Sequence, residues 1–186
     1  MRRFTLPALA LAVPLLAQCR HREPAPDPKP EDQLPPATRT GADTYGCLLN
    51  GQPWKPTGQF TRPALSINYD PGYHGGNLVI TAFRDVGNTG KSQVIGFGGD
   101  QISRTGTYRV DPSITLQSPG LYMALFTDAT KPAPCDRYLF QPTIRSGTFT
   151  ITRLDGGIVA GTFDFTLTYP GCDTVRITKG RFDSHY

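Results

Sequence analysis

The sequence is poor in the residues that mark most catalytic, metal-binding and nucleic-acid-binding proteins. Its 186 residues include three histidines and four cysteines, and no two cysteines have Cys-x-x-Cys spacing. Lysine and arginine never form a run longer than two, so the basic stripe of a nucleic-acid-binding protein is missing. Gly-x-Ser-x-Gly and phosphate-loop motifs are also absent from the sequence, which removes two common enzyme signatures. We therefore expect no catalytic residues, no metal, no cofactor and no nucleic-acid partner.

The sequence also lacks an apolar run long enough to cross a membrane, which needs about 20 residues. Residues 4–17 are apolar apart from Thr5, and they follow the basic pair Arg2 and Arg3. A basic start and an apolar core of about 7–15 residues are typical of an export signal. We therefore predict a lipoprotein signal peptide over residues 1–18.

The end of this signal predicts lipidation. Leu16-Ala17-Gln18-Cys19 resembles the bacterial lipoprotein cleavage box, although Gln18 departs from the usual small residue. The alternative is an ordinary secretory signal cut nearby. A lipidated Cys19 makes the membrane a partner through the anchor and predicts a cell-envelope location, at the outer membrane or cell surface rather than the inner membrane. The mature chain then has 17 basic and 15 acidic groups, a net charge of +2.

Two segments of different composition follow the signal. Residues 19–43 hold six prolines among charged residues and have few apolar side chains, which favours an extended linker. From residue 44 apolar and polar residues alternate, and clusters such as Asn50-Gly51 and Asp155-Gly156-Gly157 predict hairpin turns. We predict one all-β domain over residues 44–186, with about nine to ten strands in an antiparallel sandwich or an up-and-down barrel.

Three stretches carry a family resemblance: LPPATRTGADTYGCLLNGQPW at 34–54, GTFTITRLDGGIVAGTFDFTL at 147–167 and DTVRITKGRFDSHY at 173–186. In these stretches the chain resembles uncharacterised lipoproteins of the Bacteroidetes, of the domain-of-unknown-function kind. The resemblance implies an exported lipoprotein with a compact β-fold. It implies no activity and carries over no functional residues.

Three cysteines remain after Cys19, an odd number for an oxidising compartment. Cys135 and Cys172 both lie in turn-like settings beside strand starts, so a Cys135–Cys172 disulfide is favoured over the two other pairings. Cys47 shares a strand face with Tyr45 and Leu49 and is interpreted as a small core residue.

Few residues suggest a binding site. His21 lies in the linker and His185 is the penultimate residue, whereas His74 lies in the loop at 70–76, beside Tyr73. Trp54 is the only tryptophan, and an exposed aromatic ring stacks on sugars or apolar ligands. Trp54, Tyr73 and His74 are weak ligand-binding candidates against the simpler interpretation of sheet packing and a solvated turn.

We expect a non-enzymatic cell-envelope lipoprotein with a binding or structural role. Its partner would be an envelope protein, a glycan or a small apolar ligand. The alternative is a lipocalin-like barrel that carries a small apolar ligand.

Overall fold

The computed structural model describes residues 27–58, 62–110, 122–139 and 143–186. The predicted signal peptide, Cys19 and the first part of the linker lie outside these residues. The described part contains strands and one short 3-10 helix, Pro30–Gln33, and none of its helices is long and apolar enough to cross a membrane. The strands are β1 (Thr44–Leu49), β2 (Gln52–Trp54), β3 (Leu65–Asp70), β4 (Asn77–Asp85), β5 (Ser92–Gly99), β6 (Gly106–Arg109), β7 (Tyr122–Asp128), β8 (Arg137–Tyr138), β9 (Ile144–Asp155), β10 (Ile158–Thr168) and β11 (Val175–His185).

The strands form two open antiparallel sheets. The six-stranded sheet has the order β2-β1-β11-β10-β9-β6, and the five-stranded sheet has the order β3-β4-β5-β7-β8. A barrel requires the first and last strands of one sheet to pair, and in the described residues neither sheet closes in this way. The predicted all-β sandwich is therefore confirmed and the barrel is wrong. The sequence pattern also misses β8, which is only two residues long.

Phenylalanine fills the space between the sheets. Phe97 of β5 points inward, and its ring centroid lies 4.7–5.6 Å from four rings of the other sheet. Those rings belong to Phe149, Phe163, Phe165 and Phe182, all buried. The sequence predicts this face of the β9–β10 hairpin, because apolar residues alternate there with threonine and aspartate.

The second half of the predicted linker packs on the domain. Leu34 is buried, and a Cβ at Gly46 would lie 2.7 Å from Pro35, so residues 34–35 cover the outer face of β1. Lys179 of β11 pairs with Glu31 at 3.6 Å. The sequence predicts a solvated linker up to residue 43, because few of its residues are apolar, but these contacts fix it to the six-stranded sheet well before β1.

The anchor of this segment is a buried carboxylate. Asp183 of β11 is fully buried and accepts hydrogen bonds from the backbone N–H groups of Thr40, Gly41 and Ala42 at 2.7–3.3 Å. Burial acts to raise the pKa of Asp183, but its hydrogen bonds outweigh burial and lower the pKa. Strand alternation alone would place Asp183 on the solvent side, together with Arg181.

The cysteines follow the prediction. Cys135 and Cys172 form a disulfide that joins two loops 37 residues apart in sequence. Cys47 is a free thiol with no exposed surface. Burial raises its pKa to about 12.

Candidate functional site

The outer face of the five-stranded sheet carries a shallow groove. Outer faces of antiparallel sandwiches are usually polar, but here Val79 of β4 and Met123 and Leu125 of β7 present apolar side chains across β5. The side chains of β4 form one wall and those of β7 form the other, and these two strands lie about 10 Å apart, twice the spacing of neighbouring strands. We call this space, of about 180 Å³, the sheet groove.

Two glycines form the floor of the sheet groove. A Cβ at Gly96 would lie 3.1–3.4 Å from side-chain atoms of Leu125, and Gly98, with φ +151°, would place a Cβ only 1.9 Å from the Leu78 carbonyl oxygen. The backbone conformation at position 98 therefore requires glycine. Gly96, which has no side chain, leaves the space between the two walls of the groove open. A ligand in this groove would lie directly on the backbone of β5.

A polar cluster closes one end of the sheet groove. Asp100, just beyond β5, accepts a hydrogen bond from Asn77 Nδ2 at 2.7 Å, and its other oxygen lies 3.0 Å from His74 Nδ1. The Asn77 hydrogen bond lowers the pKa of Asp100 most, burial opposes it, and the His74 hydrogen bond lowers it further. We call Asn77, His74 and Asp100 the polar cluster.

The loop that carries His74 is tied in place at both ends. Asp70 Oδ1 accepts the backbone N–H groups of Gly72 and Tyr73, and the His74 carbonyl oxygen accepts the N–H of Gln101. His74 itself has φ +49°, an unusual value for a residue with a side chain. The sequence interpretation of a solvated turn is therefore incomplete, because these hydrogen bonds aim His74 at Asp100.

Of the three ligand-binding candidates, Tyr73 and His74 come together and Trp54 does not join them. The rings of Tyr73 and His74 stack at 3.9 Å between centroids with 20° between their planes, and Tyr73 is 53% exposed. Trp54 is fully buried, and its indole N–H donates to Gln93 Oε1 at 2.9 Å. Trp54 therefore has no free face for a ligand, and its interpretation as a ligand-binding residue is wrong.

The polar cluster offers hydrogen-bonding groups to a ligand. A carboxylate that orients a histidine is part of many hydrolase sites, but His74 is largely exposed, and no described nucleophilic side chain hydrogen-bonds its ring. In the described ranges no three histidine, cysteine or acidic side chains cluster in a way that holds a metal ion. Available to a ligand are the Nε2 atom of His74, the remaining lone pairs of Asp100 and the exposed ring of Tyr73.

Sequence reasoning missed most of the sheet groove. A partial signal was present, because β7 has five apolar residues in succession (residues 122–126) and β4 has three (residues 78–80), instead of a strict alternation. Which outer residues become neighbours depends on the order β4-β5-β7, and that order is not visible in the sequence.

Comparison of the chain with family models, with curated proteins and with solved structures finds no match.

Proposed function

We propose that this chain is a non-enzymatic, lipid-anchored protein of the cell envelope that binds a saccharide in the sheet groove. The observation that carries the proposal is an apolar, glycine-floored groove that ends at Asp100, with the stacked rings of Tyr73 and His74 next to this carboxylate. The proposed anchor is Cys19, and the proposed location is the outer membrane or the cell surface.

Saccharide chemistry matches the two parts of the site. A pyranose ring has an apolar face, which packs on aromatic rings and on exposed backbone, and a rim of hydroxyl groups. Hydroxyl groups donate to carboxylates, and Asp100 is held with its oxygens as acceptors by Asn77 and His74. A purely apolar ligand would leave Asp100 desolvated without a new partner, which is unfavourable.

The position of the linker is compatible with an anchored binding protein. Residues 34–35 pack on the outer face of β1, in the six-stranded sheet. The sheet groove lies on the outer face of the other sheet. The described part of the linker therefore leaves the groove free for a ligand while the chain is attached to a membrane.

The alternative of a lipocalin-like carrier has less support. A lipocalin holds its ligand inside a closed barrel, whereas this chain has two open sheets with Phe97 and its four neighbours between them. Carriage of a small apolar ligand would have to use the open sheet groove.

The test is an NMR titration of the protein with methyl glycosides of glucose, galactose and N-acetylglucosamine. We expect amide shifts at residues 96–100 and 73–77. Tyr73→Ala removes an exposed ring without disturbing the core, and we expect it to weaken binding by about threefold to tenfold. Asp100→Asn removes the charged acceptor and should weaken binding at least as much.

Ile144→Ala is the matched control, because Ile144 is an equally exposed apolar residue on the other sheet. It should leave binding unchanged. Shifts that avoid the sheet groove, or equal losses in Tyr73→Ala and Ile144→Ala, would contradict the proposal.

A further inference from the structure

A second cavity lies between the sheets at the end opposite the polar cluster. It has a volume of about 310 Å³. Leu49, Phe126 and Val175 give it an apolar lining, Asp128 and Tyr138 add buried polar groups, and the exposed Asp173 lies at its rim. We call it the end cavity. None of its residues belongs to the sheet groove, so any ligand here is independent of the proposed saccharide.

The end cavity contains a buried carboxylate without a counter-charge. Asp128 is 6% exposed. Its Oδ2 accepts from Gln93 Nε2 at 2.9 Å, and its Oδ1 accepts from the backbone N–H and the hydroxyl of Thr130 at 3.0 and 2.6 Å. All its partners are donors, so both oxygens act as acceptors. In the described residues no lysine, arginine or histidine pairs with Asp128 within 4.0 Å.

The internal segments outside the described residues carry no basic side chain. The segments 59–61, 111–121 and 140–142 contain no lysine, arginine or histidine. Lys131 lines the end cavity, but its side chain is exposed and forms no ion pair with any described residue. Because buried charges in proteins are normally paired, the free position beside Asp128 favours a cation from outside the chain.

The lining indicates which cation is accommodated. A metal ion needs several oxygen, nitrogen or sulfur ligands, and no such group of side chains occurs among the described residues. Phe126 and Tyr138 line the cavity with their rings 6.1 Å apart, and aromatic faces attract ammonium groups. Leu49 and Val175 provide an apolar wall for an aliphatic chain.

We propose that the end cavity binds a primary alkylammonium group, with the ammonium at Asp128 and the aliphatic chain against Leu49, Phe126 and Val175. The Cys135–Cys172 disulfide stands in the wall of the cavity and holds its two rim loops together. At the rim, the exposed Lys131 repels the cation and the exposed Asp173 attracts it, so the buried Asp128 supplies the charge inside the cavity.

The test compares n-butylammonium with n-butanol, which has the same chain and no charge. Trp54 is the only tryptophan and is linked through Gln93 to Asp128, so its fluorescence reports on the cavity. We expect the protein to bind n-butylammonium about tenfold or more tightly than n-butanol, the gain of a hydrogen bond to a charged group. Equal affinities would overturn the proposal.

Three variants test whether Asp128 is responsible for the preference for the ammonium ion. Asp128→Asn keeps an acceptor for Thr130 and should abolish the preference for the ammonium. Lys131→Glu replaces a positive charge at the rim by a negative one, so it should raise the affinity for n-butylammonium about threefold or more. Because Lys131 is exposed, this variant tests the proposal even if Asp128→Asn does not fold. Asp155→Asn changes an exposed carboxylate outside the cavity and should have no effect. A preference that survives in Asp128→Asn, or an affinity unchanged in Lys131→Glu, would refute it.

Discussion

The indole N–H of Trp54 in β2 donates a hydrogen bond to the side-chain oxygen of Gln93 in β5 at 2.9 Å, and so joins the two sheets. Trp54 is fully buried, so loss of this acceptor would leave its N–H without a partner. Gln93→Leu also removes the hydrogen bond that Gln93 donates to Asp128, so we expect it to lower the free energy of unfolding by about 1–3 kcal/mol for each of the two partners. Denaturant unfolding followed by Trp54 fluorescence measures the change.

Gln52→Leu is the control for this prediction, because Gln52 is an exposed residue of β2. It should change the free energy of unfolding by less than about 0.5 kcal/mol. An equal loss in both variants would show that the hydrogen bonds of Gln93 to Trp54 and Asp128 add nothing to stability.

Asp183 should make the protein sensitive to acid. Its pKa is lowered in the folded state, so its contribution to stability is fully present above the unfolded value of about 3.9 and is lost as the pH falls through the folded value. Asp183→Asn should therefore cost about 1.5–3 kcal/mol at neutral pH and progressively less below about pH 4. The free energy of unfolding, measured from about pH 2 to about pH 7 for both proteins, checks this prediction.

The same variant should release the linker. Hydrogen exchange at the amides of Thr40, Gly41 and Ala42 should accelerate in Asp183→Asn, because these amides donate to its carboxylate. Asp173→Asn, which changes an exposed carboxylate, should leave those amides protected. Unchanged exchange in Asp183→Asn would show that other contacts hold residues 40–42.

The two floor glycines of the sheet groove should differ in their tolerance of a methyl group. Gly98→Ala would bring a Cβ into the Leu78 carbonyl oxygen at a φ of +151°, and we expect it to cost more than about 2 kcal/mol. Gly96→Ala meets only the flexible side chain of Leu125 and should stay within about 1 kcal/mol of the parent protein. Thermal unfolding of the two variants compares them directly, and similar costs would contradict the assigned roles.

The buried thiol of Cys47 should be inert in the folded protein. A pKa of about 12 leaves almost no thiolate at pH 8, and the side chain has no exposed surface. Modification by a thiol reagent should therefore follow the rate of unfolding and rise with denaturant. Peptide mass analysis isolates Cys47 from the other cysteines, and rapid labelling without denaturant would contradict its burial.

Local pattern was enough to predict the strands and several turns. Asn50 and Gly51 both have positive φ, as the two-residue turn predicted between β1 and β2 requires. The alternation of Phe163, Phe165 and Leu167 with polar residues correctly identifies the inner face of β10. These features depend on neighbours within a few residues, so they are visible in the sequence.

The candidate sites depended on distant residues. His74 was recognisable as a histidine in a turn, but its partner Asp100 lies 26 residues away. Asp183 lies 142 residues from Gly41, and the residues around it do not show that residues 40–42 bind its carboxylate. A local sequence pattern cannot reveal such pairs, because the two residues meet only after the sheets have formed and packed together.

The sequence by itself determined that the chain folds into short antiparallel strands with an aromatic core, because side-chain period and turn residues act locally. It also favoured the Cys135–Cys172 disulfide over the other pairings. Only the tertiary structure decided that the sheets stay open, that β5 lies between β4 and β7, and that two glycines there open a groove. Strand order is fixed by non-local hydrogen bonds and by the fit of Phe97 among four rings of the opposite sheet, and neither exists until the chain has folded.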